Sequence, residues 1–268
     1  MKLSINILGP IKRSNKTNDF FDCPFCNDTK GHLGVHRTKK IFSCFKCGSS
    51  GRVENLDIPV SEFRSRVNKF LHKEPKPTMN TISLSLPEFY KPIEKGSGIA
   101  YEYLKKRMVT LEEIKRFKIG FCNGGVFQDR IIVPIYNDHR LVFYVGRTYL
   151  NRVPKYLNAP VPKNGTIFKT FDGRVKLAVI TEGVFDALRV GKVAPAISLL
   201  GKIVNGKAQA QSIFNSADKV LVMFDKDAVK DCVLAAMELS IFVLAKPVFI
   251  DKKDPGEMTL DEIKKYVD

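Results

Sequence analysis

Apolar residues in this chain cluster into short runs that stop abruptly at acids or glycines. Leu177 to Ile180 gives way to Thr181-Glu182-Gly183, and Val220 to Phe224 gives way to Asp225-Lys226-Asp227. Runs of this length, rich in β-branched and large apolar residues, predict strands covered on both faces, as in a parallel sheet. Such sheets gather ligands beyond the carboxyl ends of their strands. Arg130 to Tyr136 and Leu141 to Arg147 predict two further strands joined by the turn Asn137-Asp138-His139-Arg140. Between Ile99 and Lys118 the apolar positions predict two short helices. The second opens on Thr110-Leu111-Glu112-Glu113, which has capping-box spacing. Lys73-Glu74-Pro75-Lys76-Pro77 has linker composition, unable to form helix or central strand.

The acids at the strand ends carry the chemistry. Asp225 and Asp227 are two residues apart, so both lean to one side, and Gly183 permits close approach to Glu182. Three carboxylates at close range raise one another's pKa unless a cation neutralises them. All-oxygen ligands suit a hard divalent ion such as Mg²⁺ or Mn²⁺. The alternative for each acid is that it caps the helix that follows its strand.

Composition narrows the class. A chain of 268 residues with 44% hydrophobic and 27% charged residues is globular, neither disordered nor fibrous, with room for two or three domains. The longest apolar candidate for a membrane span, Ile241 to Ile250, is short and interrupted by Lys246-Pro247. The residues after Met1-Lys2 lack the apolar length of a secretion signal, so a cytoplasmic protein is expected. Net charge is +16, and its placement matters more than its size. Residues 1–80 and 81–175 each carry an excess of eight basic over acidic residues, whereas residues 176–268 balance. A polyanion held by the first two thirds and presented to a metal-loaded acidic site in the last third explains this, and nucleic acid is the expected polyanion. A basic surface that serves only solubility is the alternative.

Cys23-Pro24-Phe25-Cys26 and Cys44-Phe45-Lys46-Cys47 form two CxxC pairs seventeen residues apart. That spacing predicts a zinc ribbon in which Cys23, Cys26, Cys44 and Cys47 close a tetrahedral, structural Zn²⁺ site. His32 and His36 lie between the pairs and could replace a ligand, but solvated loop histidines are expected, and Cys122 and Cys232 are expected to be ordinary free cysteines. Arg37, Lys39, Lys40, Lys46 and Arg52 interleave with Phe42 and Phe45, a composition suited to phosphate contact and base stacking on a single strand. Phe25 and Phe45 could equally form a small core beneath the knuckles, and at least one is expected to.

If Asn137 pairs with Arg140, the hairpin register brings Arg130 opposite Arg147. Two opposed cations are unfavourable in an empty sheet, so the pair, with Lys155 nearby, is expected to clamp an anion. Pro134 requires an edge or a bulge in this register.

The order of these parts resembles the DnaG-type bacterial and phage DNA primases over nearly the whole chain. LEEIKRFKIGFC (111–122), FQDRIIVPIYNDHRLVFYVGR (127–147) and PKYLNAP (154–160) are similar to the family's basic motifs. EGVFDAL (182–188), Leu199 to Gly201, Phe224 to Asp227 and Lys253-Asp254-Pro255 resemble its Toprim metal-binding fold.

The resemblance implies an α/β chain: a zinc ribbon (1–60), a linker (61–84), a mixed α/β basic subdomain of the RNA polymerase core (85–175), a Rossmann-like parallel Toprim sheet (176–258) and a carboxyl-terminal helix (259–268). It further implies that Glu182, Asp225, Asp227 and Asp254 hold two or more Mg²⁺ or Mn²⁺ ions, with Glu182 a ligand or a general acid or base. Arg130, Arg147, Lys155 and Lys226 would contact nucleotide or template. The implied activity is synthesis of short RNA primers from ribonucleoside triphosphates on single-stranded DNA, beside a separate replicative helicase and with no membrane partner.

Lys226 and Lys230 stand where the family often has Gly, and Gly256 where it often has an acid. The ribbon carries a fourth cysteine where the family often uses histidine. The chain stops soon after Tyr266, which leaves no room for the family's carboxyl-terminal helical and helicase-binding domains, and its short basic layout suggests a phage or mobile element acting in a host cytoplasm. A Toprim nuclease would share the acids but gives no reason for the ribbon or PKYLNAP. A non-catalytic zinc and Toprim recombination mediator would need no intact set of acids.

Overall fold

A computed structural model of the chain describes residues 2–4, 8–26, 28–54, 65, 70, 84–163 and 165–267. The proposed linker at 73–77 lies outside the described residues. By backbone contact the chain divides into two units, one formed by residues 1–73 with 169–268 and the other by residues 74–168.

The amino-terminal part of the first unit is a six-stranded sheet of β1 (Lys2–Ser4), β2 (Arg13–Ser14), β3 (Asn18–Phe21), β4 (Leu33–His36), β5 (Ile41–Cys44) and β6 (Ser50–Glu54), in the order β1-β6-β5-β4-β3-β2. Strands this short hold few apolar residues. Leu3, Phe21, Phe25, Leu33, Val35, Phe42 and Val53 are buried, and Phe25 stacks on Phe42 at 5.4 Å between ring centres.

The second unit carries the antiparallel sheet that the hairpin pattern predicts. Its strands are β7 (Tyr90–Pro92), β8 (Gly120–Cys122), β9 (Arg130–Asn137), β10 (Arg140–Thr148) and β11 (Tyr156–Asn158), in the order β11-β10-β9-β8-β7. Helices α1 (Gly98–Lys106) and α2 (Leu111–Arg116) precede β8. The capping box is formed: Thr110 Oγ1 accepts from Glu113 N–H at 3.2 Å, and the Glu113 carboxylate accepts from Thr110 N–H at 2.7 Å. Asp138 and His139 both adopt left-handed backbone, φ 48° and 64°, which makes the two-residue turn whose twist matches the flanking strands.

The register departs from the sequence expectation by one residue. Asn137 pairs with Arg140 and Leu141 with Tyr136, but a bulge between Leu141 and Phe143 moves every later pair along. Arg147 therefore pairs with Ile131, and Arg130 with Thr148. Paired residues share a face and successive residues alternate, so the two arginines lie on opposite faces and do not oppose one another. Pro134 sits beyond the β8 ladder, which ends at Ile132, on a stretch of β9 where its missing N–H is tolerated.

The carboxyl-terminal part of the first unit is built on β12 (Phe168–Lys169), β13 (Val175–Thr181), β14 (Ala196–Ser198), β15 (Ala217–Met223) and β16 (Leu244–Val248), in the order β12-β14-β13-β15-β16. The β13–β14, β13–β15 and β15–β16 pairs are all parallel. Helices α3 (Val184–Val190), α4 (Gly206–Ser216) and α5 (Val229–Leu239) make the crossovers, and α6 (Leu260–Val267) follows. Ala178, Val179, Ile180, Val222 and Met223 are wholly buried, as covered strands require. Each buried large aliphatic side chain contributes about 1.5–3 kcal/mol. The chain leaves β13 toward β14 on one side and later reaches β15 on the other. The order thus reverses between β13 and β15, the place where a crevice opens in sheets of this type.

Replacing Thr110 with Ala should weaken α2 by about 1 kcal/mol through loss of the cap. Amide exchange in α2 should accelerate about fivefold while exchange in β13 and β15 stays unchanged.

Candidate active site

Glu182 follows β13 directly and Asp225 lies two residues beyond β15, so the reversal point places them side by side. Glu182 Oε1 accepts from the backbone N–H of Asp225 at 3.0 Å. The N-cap positions of α3 and α5 are Gly183 and Ala228, so none of the three acids is the N-cap residue of its helix. Asp254 is one: its Oδ1 accepts from Glu257 N–H at 2.9 Å at the start of a 3-10 helix (Pro255–Glu257). Its loop is tied to the other acids, because Lys226 N–H donates to Lys253 O at 2.9 Å. The side chain of Lys226 donates to the carbonyl of Asp251 at 3.0 Å.

Burial pushes the Glu182 carboxyl up to about 7, and the charges of Asp225 and Asp227 add to the rise against the Asp225 N–H bond and Lys202. Lys202 Nζ stands 3.8 Å from Glu182 Oε2 and 3.8 Å from Asp227 Oδ1. The carboxylates do not close into a compact ligand cage. Among the described residues, the cysteines form the one group of three or more potential ligand residues whose donor atoms lie within 4.8 Å of one another. The donors nevertheless suit a hard divalent cation: they are all oxygen, they repel one another, and an ammonium already stands between two of them.

The four sulfurs suit zinc geometrically. Cys23 and Cys47 are 3.8 Å apart, as are Cys26 and Cys44. A tetrahedron with metal–sulfur bonds of about 2.3 Å has edges of about 3.8 Å. The second knuckle is closed by Gly48 in left-handed backbone, φ 73°, whose N–H donates to Cys44 O at 2.9 Å. Burial pushes the Cys23 and Cys26 thiols up, Cys26 to about 12, and neighbouring thiolates add to the rise, so a cation is needed to hold these two ionised, whereas burial at Cys47 is outweighed by hydrogen bonds with Ser49 and neighbouring thiols that lower it. His32 stays outside this set, its Nδ1 being 2.7 Å from Asp28 Oδ1. Burial opposes ionisation of Asp28, but hydrogen bonds from the backbone and ring of His32 and the N–H of Lys30 outweigh it and hold the carboxyl down to about 2.

The predicted aromatic set divides. Phe25 and Phe42 are core, whereas Phe45 is 73% exposed. Phe45 lies 6.3 Å from Phe20, and the Arg13 guanidinium sits 4.2 Å over the Phe20 ring. Phe25 also meets Phe249 edge-on at 6.3 Å, a contact that the linker composition does not foretell. Cys122 and Cys232 are free and buried, as expected.

The predicted anion clamp is not formed. Arg130 is buried and donates to the carbonyls of Pro154 at 2.7 Å and Lys155 at 3.3 Å, bracing the loop between β10 and β11. Burial, and then the charge of Arg152, lower its pKa. Arg147 lies 4.7 Å over the ring of Tyr156, its partner across the strands. Its Nε is buried without a hydrogen-bond partner. Lys155 is exposed, and its carbonyl accepts from Thr148 N–H at 3.1 Å as well as from Arg130. Sequence reasoning missed Lys202, Tyr156 and the Arg152–Asp129 ion pair at 2.6 Å. Lys202 directly follows the quoted Leu199 to Gly201 motif, which was a usable signal.

Three outcomes check these assignments. Purified protein should carry one zinc per chain by metal analysis, and Cys44→Ala should lose it. Arg130→Ala should cost about 2–3 kcal/mol of unfolding free energy through the carbonyls it leaves bare, whereas Arg147→Ala should leave folding nearly intact. For Glu182, a carboxyl raised above its unfolded value of about 4.5 binds an extra proton when folded. Protein without added Mg²⁺ or Mn²⁺ should therefore lose stability as pH rises from about 4.5 through about 7. Glu182→Gln should remove that slope and be about 1–3 kcal/mol the more stable form at pH 8, measured by chemical denaturation across pH.

No family model matches the chain. It is 30% identical over 266 residues to the DNA primase of Thermotoga maritima, a match covering 76% of this chain and 47% of that protein. The chain spans about half the length of the curated relatives it matches. Its fold is similar to the zinc-binding and RNA polymerase domains of the Aquifex aeolicus primase, with TM-score 0.52 and 20% identity, over 94% of this chain and 77% of that one. It is also similar to a DnaG primase catalytic domain bound to single-stranded DNA, with TM-score 0.55 and 21% identity, over 77% and 78% of the two chains. Zinc-ribbon thiolates, a bulged basic hairpin and acids at the reversal of a parallel sheet thus occur in a chain whose sequence is similar to DNA primases and whose fold is that of DnaG-type primase domains.

Proposed function

We propose that the chain synthesises short RNA primers from ribonucleoside triphosphates on a single-stranded DNA template. The observation that carries this reading is the meeting of Glu182 and Asp225 at the sheet reversal, in a chain whose relatives are DNA primases. In the bond-forming step a 3′-hydroxyl oxygen attacks the α-phosphorus of the incoming nucleotide, and the bond to pyrophosphate breaks. Mg²⁺ or Mn²⁺ held by Glu182, Asp225, Asp227 and Asp254 would supply the positive charge at the attacking and leaving oxygens.

The chain's own residues divide the remaining work. Glu182 offers Oε2 to the ion, since Oε1 is fixed by the Asp225 N–H. Arg147, over the ring of Tyr156, and Lys155 contact phosphates of template or nucleotide, and Lys226 does so when released from Asp251. Arg130 acts indirectly by holding the loop that presents Lys155. The ribbon's structural zinc sets the sheet on which exposed Phe45 can stack with unpaired bases. The helicase partner and a cytoplasmic setting, the host's if a phage encodes the chain, belong to the same proposal. The DNA primase relatives favour priming over a Toprim nuclease or a recombination mediator.

The test supplies single-stranded DNA, four ribonucleoside triphosphates and Mg²⁺ or Mn²⁺, and resolves the products by length. Short RNA should form, and Asp225→Asn should reduce it by about a hundredfold or more. Arg147→Ala should weaken template binding more than Arg140→Ala does. DNA cleavage, or binding with no RNA product, would overturn the assignment.

A further inference from the structure

Lys202 is held in place by more than its own charge. The loop after β14 is stitched to the end of β13 by three hydrogen bonds: Leu199 N–H to Thr181 O at 3.0 Å, and both Gly201 N–H and the Ser198 hydroxyl to Glu182 O at 2.9 Å. Leu200 adopts left-handed backbone, φ 59°, with its N–H donating to Ser198 Oγ at 3.1 Å, and Gly201 follows at φ 153°. A non-glycine residue in that region is uncommon and persists where its surroundings fix it. The backbone of Lys202 is therefore registered against the backbone of Glu182, and its ammonium reaches both Glu182 and Asp227 at 3.8 Å.

We infer that Lys202 is a resident counter-cation of the acidic site, which neutralises Glu182 and Asp227 before metal arrives and must be displaced for the divalent ion to load. The inference rests on the metal-site reading above. Its physical basis is competition: one ammonium and one divalent ion draw on the same two carboxylates, and whatever stabilises the metal-free site raises the metal concentration needed to fill it. The ammonium relieves carboxylate repulsion while the site is empty, and the loop fixes the backbone from which it reaches the acids. Once displaced, Lys202 remains within a side chain's length of the ion, available to a phosphate bound there.

The test measures Mn²⁺ binding to the whole zinc-loaded protein by electron paramagnetic resonance, without nucleotide or DNA. Lys202→Met should tighten Mn²⁺ binding about three- to tenfold, the range two partly exposed ion pairs set. Lys202→Gln should shift it the same way, and Lys202→Arg should restore the weaker wild-type value. Far-ultraviolet circular dichroism and zinc content identify any variant that fails to fold, and the Gln variant then decides. Unchanged or weaker Mn²⁺ binding in the folded neutral variants overturns the inference. Asp225→Asn separates the two claims. If it abolishes Mn²⁺ binding while Lys202 variants do nothing, the metal site stands and the counter-cation role falls; if it leaves Mn²⁺ binding intact, the metal-site reading falls and takes this role with it.

Discussion

The parallel pairing of β13 with β15 is the constraint on which the acidic site depends. Ile180 lies beside Val222, so the two strands end at the same level, and whatever follows them must share one crevice. The pairing is specified by burial on both faces, since Ala178 to Ile180 and Val220 to Phe224 are almost entirely covered. A slip along the ladder would strand large aliphatic groups at the crevice and withdraw the acids from one another. The bond from Asp225 N–H to Glu182 Oε1 is a consequence of that register as much as a cause of local order. The same covered sheet explains why the carboxyl of Glu182 is costly to ionise, because its neighbours are apolar walls and other acids.

Two groups of like-charged ligands thus sit in a chain of net charge +16, and they differ in how completely the protein has prepared them. The thiolates are pre-set at tetrahedral spacing on short hairpins that bury few apolar residues. Such a module draws much of its folding free energy from the metal it closes around. The carboxylates stand on a sheet that is well packed without metal, and they run from Glu182, only 12% exposed, to Asp227, 85% exposed. One site behaves as part of the fold, whereas the other is an addressable surface. Soft sulfur in a closed set and hard oxygen in a looser one would also keep zinc and the proposed divalent ion from exchanging places.

Much of this was legible in the sequence, and the reasons are local. The two CxxC pairs, the covered strands ending at Glu182 and Asp225, the capping box at Thr110 and the turn at 137–140 each depend on residues close together in the chain. The hairpin register was not legible, although its turn was. One bulged residue beyond Leu141 carries Arg147 to the face opposite Arg130; Pro134 called for an edge or a bulge but did not say which, or where. The buried role of Arg130 was equally hidden, since its partners are backbone carbonyls of Pro154 and Lys155 more than twenty residues away. Asp254 shows the limit in another form: the resemblance implies a ligand and nothing local suggested a cap, yet the carboxyl caps a 3-10 helix while its loop stays tied to Lys226.

The basic residues follow from the same argument about placement. An excess of positive charge over residues 81–175 fits a polyanion partner, but charge counting assigns no contact to any one residue. Arg130 is spent on the fold, Arg152 on Asp129, and Arg147 on an aromatic face that leaves its Nε without a partner. A buried guanidinium N–H without a partner would bond an oxyanion more strongly than one in water. Lys202 is the mirror case: a cation from the charge-balanced third of the chain, directed by a strained loop into the acids themselves. Where a charge is anchored, and against which backbone, decides its role more than the net charge of the segment that carries it.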